Sequence, residues 1–306
     1  MAGPVRVAVA PAAEPFAVAA VLAAGAEVVP VGPAAEALVW LAPRDVTGLG
    51  AALDAAPGVR WVQLPNAGVE LVAAAGLLAR RLVWTSGKGV HSEPVAEHAL
   101  CLALAGLRSL HLRVGATTWG EPAAETLFDQ RVTILGGGGI AAALVRLLAA
   151  FRCNVTVVRR SSLALPGAHV VGPEGLAAAL PGARVVFVAT AATPATYHLV
   201  GAPELALLDR DAWLVNVARG SCVDTGALVA ALAARRIGGA ALDVTDPEPL
   251  PDGHPLWDLP NCIVTPHTAN TWTLLEPALA QRITTNVTRF AAGAPLDGIV
   301  DPATGY

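Results

Sequence analysis

The stretch VTILGGGGIAAALVRLLAAF, residues 132–151, decides the fold, because it reads as a strand, a glycine turn and a helix in direct succession. Gly136 can make the tight turn, Gly138 lets the backbone approach a pyrophosphate, and Ala141 replaces the usual third glycine with another small residue. The helix N-terminus that follows favours a bound phosphate. With a second strand at residues 154–158, the stretch predicts a dinucleotide-binding turn. Without that context, four glycines indicate only a flexible loop.

Short β-branched segments alternate with Ala- and Leu-rich segments along the rest of the chain, a pattern typical of parallel sheets covered by helices. The predicted strands are residues 5–10, 37–41, 59–64, 81–86, 132–136, 154–158, 184–190, 213–218, 238–244 and 262–267. Helices are predicted at residues 94–114 and 274–293. We expect an α/β fold: a Rossmann-type doubly wound parallel sheet with a second, smaller flavodoxin-like α/β domain. The dinucleotide-binding domain is predicted at residues 89–273, and the smaller domain at residues 1–88 and 274–306.

Composition excludes several classes of partner. The net charge is -4, so no basic surface for nucleic acid is indicated. Apolar residues make up 54% of the chain, but the longest apolar runs are interrupted at Glu27, Glu97 and Arg108, well short of the ~18–20 residues of a membrane span. The N-terminus shows no cationic segment followed by an apolar core and a cleavage site, so we expect a cytoplasmic protein.

The four cysteines lie far apart, without C-x-x-C or His-rich spacing. This distribution disfavours both a zinc site and a disulfide framework. We therefore expect no metal, and four reduced thiols in the core: Cys101, Cys153, Cys222 and Cys262.

The strand at residues 154–158 is followed by Arg159 instead of the acidic residue that usually stands there, ~20 residues beyond the glycine turn. A carboxylate at this point bonds the ribose 2′-OH of NAD, whereas an arginine accommodates the 2′-phosphate of NADP. Arg160 and Ser161 offer further donors. The pattern predicts a preference for NADP over NAD. The alternative is a pair of solvated arginines in a chain whose only lysine is Lys88.

Three segments of the second half each place one charged or titratable side chain at or just beyond a predicted strand end. They are NVARGSCVD with Arg219, ALDVTDPEPL with Glu248, and VTPHTA with His267. Reduction of a 2-oxo acid by hydride needs a cation for the carboxylate and an acid for the carbonyl oxygen, which Arg219 and His267 can supply. A carboxylate beside the histidine stabilises its protonated form. Taken singly, Arg219 is consistent with a surface ion pair, Glu248 with a solvated loop residue and His267 with a buried, hydrogen-bonded histidine. Together, in a chain that also has a dinucleotide-binding turn, the three residues indicate an oxidoreductase.

Further motifs extend this pattern over nearly the whole chain: LPNAGVE at residues 64–70, GVHSEPVAEHAL at 89–100 and TPATYHLV at 193–200. With these motifs the sequence resembles the D-isomer-specific 2-hydroxyacid dehydrogenase family, which includes phosphoglycerate, glyoxylate/hydroxypyruvate and D-lactate dehydrogenases. The resemblance implies that Arg219, Glu248 and His267 are catalytic. It also implies a homodimer formed largely through the dinucleotide-binding domain, and a small anionic 2-oxo or 2-hydroxy acid as substrate.

The resemblance also implies which residues contact the cofactor. Asp243 is expected to hold the nicotinamide carboxamide, and the remaining contacts are expected from Gly136, Gly138, Gly139, Ile140, Thr190, Val217 and Ala218. The chain departs from the family pattern at two positions. Gly139 stands where Arg, Ser or Asp is frequent, which removes a side-chain contact to the pyrophosphate. Arg159 replaces the usual acidic residue, as it does in members of the family that prefer NADP.

In the smaller domain, the resemblance implies two substrate-binding loops that close over the substrate. Their backbone amides belong to residues 67–68 (Ala67, Gly68) and to Gly89 and Val90, and glycine permits close approach. Lys88 adjoins the second loop, where it either attracts the anionic substrate or is simply solvated. His98, in VAEHAL, is expected to pack within its helix or at the dimer interface.

Two alternatives remain open at this stage. C-terminal-binding-protein corepressors resemble the same family, so a dinucleotide-sensing interaction protein is possible, although no added peptide-binding tail is evident. The second alternative is a dehydrogenase of a different anionic substrate, such as phosphite or a larger hydroxy acid. Turnover of a 2-oxo acid at ordinary enzyme rates separates the first alternative from an enzyme.

Overall fold

Two parallel sheets with their helices form the part of the chain that this computed structural model describes, residues 3–301. The chain divides into two units, Met1–His91 with Thr271–Tyr306, and Ser92–Asn270. These division points lie a few residues from the boundaries expected at 88/89 and 273/274. Each unit has its own parallel sheet, so the predicted fold class is confirmed.

The first unit is a small α/β sheet. Its elements before residue 92 are β1 Arg6–Ala10, α1 Pro15–Ala23, β2 Glu27–Val29, β3 Ala37–Trp40, α2 Val46–Ala55, β4 Trp61–Gln63, α3 Glu70–Ala74 and β5 Val83–Thr85. The strands are ordered β2-β1-β3-β4-β5 and every pairing is parallel, which is the flavodoxin-like order. The sequence missed β2, because this edge strand has only three residues and no fully buried side chain.

The second unit contains a seven-stranded parallel sheet. Its elements are α4 Ser92–Leu107, α5 Leu110–Arg113, β6 Arg131–Leu135, α6 Gly139–Ala149, β7 Asn154–Val158, β8 His169–Val171, α7 Leu176–Ala179, β9 Val185–Val188, α8 Ala202–Leu207, β10 Trp213–Asn216, α9 Thr225–Ala233, β11 Gly239–Leu242 and β12 Cys262–Val264. The order is β12-β11-β10-β9-β6-β7-β8. The strand order therefore reverses at β6, and such switch points bind ligands at their carboxyl edge. The short edge strand β8 was also missed.

The segment predicted as one helix over residues 94–114 is two helices. α4 ends at Leu107, and Ser109 has a φ of +52°, which a continuous right-handed helix excludes. Near its end, α4 packs so closely on the sheet of its unit that a Cβ at Gly106 would overlap the indole ring of Trp213 in β10.

The cysteines occupy different environments. Cys222 is buried, and burial raises the pKa of Cys153 to about 11 and that of Cys262 to about 12, so these thiols stay protonated at neutral pH. Cys101 is exposed, which contradicts the expectation of four core thiols. It lies on α4 outside the face that buries Ala99, Leu102 and Ala103.

The last helix, α10 Trp272–Ala291, belongs to the same unit as β1–β5. It buries Leu275, Leu279, Ile283 and Val287, which are spaced by four residues and form one apolar face. Within residues 3–301, no helix has the length and apolar character that crossing a bilayer requires.

Candidate active site

The glycine turn between β6 and α6 has the geometry of an anion site. Gly136 has a φ of +115°, and a Cβ there would overlap the carbonyl oxygen of Ala189, so only glycine fits. Gly138 caps α6 in an extended conformation, and the first-turn amides of Gly139 and Ile140 lie at the positive end of the helix. These amides are suited to hold a pyrophosphate.

The Arg159 side chain packs closely over this turn, so that a Cβ at Gly137 would overlap its methylene groups. Its Nη1 donates to the Gly137 carbonyl at 3.3 Å and its Nη2 to that of Leu163. Its Nε is buried without a hydrogen-bond partner among residues 3–301, an orphaned donor that an anion would satisfy. Arg160 and Ser161 are exposed, and the Ser161 hydroxyl accepts from the Leu163 amide at 3.3 Å. Together with the turn, this arrangement fits a phosphorylated dinucleotide.

The residues expected to line the cofactor follow the next two strands. Thr190 lies beside the glycine turn, two residues after the end of β9. Val217 and Ala218 follow β10 and are buried. The Val217 amide donates to the Val188 carbonyl at 3.2 Å, and the Ala218 amide donates to Asn216 Oδ1 at 3.0 Å.

Asn216 also orients the segment that carries Arg219. Its Nδ2 donates to the Arg219 carbonyl at 3.0 Å, and Arg219 Nη1 donates to the Ala218 carbonyl at 2.7 Å. The next residue packs tightly, since a Cβ at Gly220 would overlap the Thr245 carbonyl beyond β11. Asn216 was not predicted as a site residue, although an asparagine at a strand end often bonds the local backbone.

Glu248 and His267, which follow the adjacent strands β11 and β12, form a hydrogen-bonded pair. Glu248 Oε1 lies 2.7 Å from His267 Nδ1, and the two side chains are 32% and 45% exposed. His267 has a φ of +51°, and its amide donates to the Asp243 carbonyl at 2.8 Å. Because Nδ1 is engaged by the carboxylate, Nε2 is the ring nitrogen left to meet a substrate.

Asp243 is a buried carboxylate beside this pair. Burial acts to raise the pKa of Asp243, but hydrogen bonds from His98 and Thr265 and from the amides of Thr268 and Ala269 outweigh it and lower the pKa to about 2. Asp243 is therefore ionised at neutral pH. The contact with His98 departs from the expectation that this histidine only packs within its helix or at a dimer interface.

The two glycine-containing loops expected to bind substrate adjoin each other within the first unit. The Gly87 amide donates to the Asn66 carbonyl at 2.8 Å, directly before residues 67–68. Gly89 has a φ of +87°. The Val90 amide donates to the Gly87 carbonyl at 2.9 Å, which closes a turn within the loop. Gly89 and Val90 both stay predicted substrate-binding residues.

Arg282 of α10, which the sequence analysis overlooked, fixes the second of these loops. Its Nη1 donates to the Ser86 carbonyl at 3.0 Å and its Nη2 to the Lys88 carbonyl at 2.8 Å. Burial lowers the pKa of Arg282 from its usual value. A polar stripe at Arg282, Asn286 and Arg289, at helical spacing, was the available signal in the sequence.

Comparison with known proteins agrees with this geometry. Residues 98–269 match the model of the D-isomer specific 2-hydroxyacid dehydrogenase NAD binding domain. A glyoxylate/hydroxypyruvate reductase A from Salmonella heidelberg is 30% identical over 285 residues, 90% of this chain and 88% of that protein.

Two solved structures share the whole fold. A D-isomer specific 2-hydroxyacid dehydrogenase from Xanthobacter autotrophicus, in complex with NADPH and MES, is 30% identical with a TM-score of 0.83, covering 100% of both chains. An NADPH-dependent glyoxylate/hydroxypyruvate reductase from Sinorhizobium meliloti, in complex with NADP and sulfate, is 26% identical with a TM-score of 0.81, also covering 100% of both chains. The chain belongs to the D-isomer specific 2-hydroxyacid dehydrogenase family.

Proposed function

We propose that this protein is an NADPH-preferring reductase of a small 2-oxo acid, in which Arg219 binds the carboxylate and His267, paired with Glu248, protonates the carbonyl oxygen. Family membership makes it an NAD(P)-dependent oxidoreductase of small 2-oxo or 2-hydroxy acids. The single observation that carries the finer proposal is the 2.7 Å contact between Glu248 Oε1 and His267 Nδ1. A solvated loop carboxylate and a packing histidine would have no reason to pair at the ligand-binding edge of a sheet.

Arg219 is suited to hold the substrate carboxylate. Its guanidinium can make two parallel charge-assisted hydrogen bonds to a carboxylate, and its bond to the Ala218 carbonyl restricts its orientation. A cation at this place also polarises the adjacent carbonyl group of a 2-oxo acid. The amides of Ala67, Gly68, Gly89 and Val90 are proposed as further donors to the substrate, with Lys88 adding a positive charge beside Gly89.

His267 is proposed to move the proton. A bound nicotinamide dinucleotide supplies the hydride. The protonated imidazole of His267 donates from Nε2 to the carbonyl oxygen as negative charge develops there, and Glu248 stabilises that protonated form through Nδ1. After the transfer, the neutral ring still donates from Nδ1 to Glu248. In the reverse direction the same nitrogen accepts the proton of a 2-hydroxy acid.

The proposed preference for NADPH rests on Arg159. Its buried, unpaired Nε and its position over the glycine turn support a contact to the 2′-phosphate, with Arg160 and Ser161 as additional donors. A hydrogen bond to a charged group contributes ~1.5–3 kcal/mol. One such contact favours NADPH by roughly ten- to a hundredfold, since ~1.4 kcal/mol is a factor of ten. Screening in water moves the effect towards the lower figure.

A homodimer is proposed from the exposed apolar side chains of the dinucleotide-binding unit. Leu110 and Leu112 are each 50% exposed, Val114 is 88% exposed and Trp119 is 95% exposed. Large exposed apolar patches mark association surfaces, and a second copy of this chain is the expected occupant. Sedimentation should give twice the chain mass of 31.0 kDa. A cytoplasmic location stays a prediction.

The test is a panel of 2-oxo acids, beginning with glyoxylate and hydroxypyruvate, assayed with NADPH and NADH in parallel. We expect turnover of at least one acid at ordinary enzyme rates, with kcat/KM higher for NADPH. Tight dinucleotide binding without turnover of any acid would contradict the proposal and favour a dinucleotide-sensing interaction protein. Turnover of phosphite alone would move the substrate outside the 2-oxo acids.

A further inference from the structure

The carboxylate of Asp243 is held by the backbone and by two side chains of its own unit. Its side chain is 1% exposed. Oδ1 accepts from the Thr265 hydroxyl at 2.6 Å and from the Thr268 amide at 2.8 Å, and Oδ2 accepts from the Ala269 amide at 3.0 Å. The segment after β12 therefore wraps around this carboxylate.

His98 reaches the same carboxylate from α4. Its Nε2 lies 3.3 Å from Asp243 Oδ1 and 3.1 Å from Thr265 Oγ1, and its side chain is 21% exposed. Because the single hydroxyl proton of Thr265 is donated to Asp243, Thr265 Oγ1 can only accept from His98. The tautomer that satisfies both contacts has its proton on Nε2, and it needs no positive charge.

The distribution of donors over the two oxygens is unequal. A carboxylate offers about four acceptor positions, two on each oxygen. Among residues 3–301, Oδ1 accepts from Thr265 and Thr268 and lies 3.3 Å from His98 Nε2, whereas Oδ2 accepts from the Ala269 amide. Oδ2 therefore keeps capacity for one more donor, and the amide group of a nicotinamide carboxamide is such a donor.

We propose that His98 is a positioning residue for the nicotinamide end of the cofactor: its Nε2–H holds Oδ1 of Asp243 and the Thr265 hydroxyl, and so keeps Oδ2 directed at the carboxamide. This inference rests on the proposed function. The backbone carbonyl of Asp243 also accepts from the His267 amide at 2.8 Å, so the same residue adjoins the proposed proton donor. His98 itself contacts neither substrate nor cofactor in this account.

The test compares two substitutions of His98 with two ligands. His98→Leu keeps the bulk of the side chain and removes the donor, whereas His98→Gln retains an N–H donor near the position of Nε2. Dissociation constants are measured for NADPH and for 2′,5′-ADP, which is its adenosine half without the nicotinamide. We expect His98→Leu to raise the dissociation constant for NADPH about tenfold and to leave that for 2′,5′-ADP unchanged. For His98→Gln, both dissociation constants should stay within about threefold of those of the unmodified protein.

A matched control is His111, a histidine of the same unit whose Nε2 bonds the Pro260 carbonyl at 2.9 Å. His111→Leu should leave the ratio of the two dissociation constants unchanged. If His98→Leu does not fold, His98→Asn takes its place, because its shorter amide does not reach Asp243.

Three results overturn the proposal. In the first, His98→Leu binds NADPH as tightly as the unmodified protein does. In the second, the His98→Leu variant shows equal increases in the dissociation constants for NADPH and 2′,5′-ADP, as expected of a merely structural role. In the third, the unmodified protein binds neither NADPH nor NADH, which overturns the proposed function as well and is thereby distinguishable from the other two.

Discussion

The loops after β10, β11 and β12 and the loops after β4 and β5 use different parts of the polypeptide. The first group presents the charged side chains of Arg219, Glu248 and His267. The second group presents backbone amides around Gly68 and Gly89, held in place by Arg282 from a distant helix. A site built from side chains tolerates little change of residue type, whereas a site built from backbone amides depends on the loop conformation and on the residues that hold the loop. Substitutions in the first region should therefore lower kcat, and substitutions that loosen a loop of the second region should mainly raise KM.

The largest effect is expected at His267. His267→Ala removes the proposed proton donor and should lower kcat for reduction by about 10²–10⁴. The dissociation constant for NADPH should stay within a few-fold, because the imidazole is paired with Glu248 and not with the glycine turn. A variant that retains kcat within tenfold would remove His267 from the chemistry.

A change in cofactor choice is expected next, at Arg159. Arg159→Asp deletes an attraction to the 2′-phosphate, adds a repulsion, and offers an acceptor to a ribose hydroxyl. The ratio of kcat/KM for NADPH to that for NADH, expected to be roughly ten to a hundred in the unmodified enzyme, should fall below one in the variant. That initial preference should shrink as salt rises. An unchanged ratio in the variant, or an unmodified enzyme that favours NADH, would mean that Arg159 serves only the loop carbonyls that it contacts.

The side-chain region should also be sensitive to acid through Asp243. The pKa of Asp243 in the fold is about 2, below the ordinary 3.8, so the ionised form stabilises the fold. This contribution, about 2 kcal/mol at ~1.36 kcal/mol per unit, is fully present above pH ~4 and is lost as pH falls towards ~2. Unfolding free energies of the unmodified protein and of Asp243→Asn should therefore differ at pH 7 and converge near pH 2. A difference in unfolding free energy that does not change with pH would contradict a stabilising role of ionised Asp243.

The smallest effect is expected in the amide region. Arg282→Gln removes a clamp from the Ser86 and Lys88 carbonyls and should raise KM for the 2-oxo acid several-fold while changing kcat little, as one hydrogen bond is worth ~0.5–1.5 kcal/mol. Arg80→Gln is the control, because Arg80 lies in the same unit and forms a surface ion pair with Asp54. Equal effects of the two substitutions would show that Arg282 has no particular role in substrate binding.

The features that the sequence predicted are local ones. Residues 132–151 contain a strand, its turn and its helix within one continuous stretch, and Arg219, Glu248 and His267 could be predicted as site residues because each follows a recognisable strand. The features it missed depend on tertiary contacts or on weak local signals. β2 and β8 are three-residue edge strands, and Ser109 interrupts a helix whose composition gives no warning.

Contacts between distant residues were missed for the same reason. His98 and Thr265 are 167 residues apart in the chain, and Arg282 and Lys88 are 194 apart. Helical periodicity gives the face of a residue but not its partner on another element. The turn that the Val90 amide closes with the Gly87 carbonyl likewise follows from the loop conformation, which no residue type in GVH specifies.

The central claim is that Glu248 sustains the protonated form of His267 for proton donation, and the pH dependence of reduction in Glu248→Gln tests it most directly. The measurement is kcat/KM for the best 2-oxo acid from pH 5 to 10 in the unmodified enzyme and in the variant. Because a carboxylate favours the protonated imidazole, the alkaline limb should move to lower pH in the variant. Superimposable profiles would contradict the account, since they would mean that the 2.7 Å pair does not govern the proton that reaches the substrate.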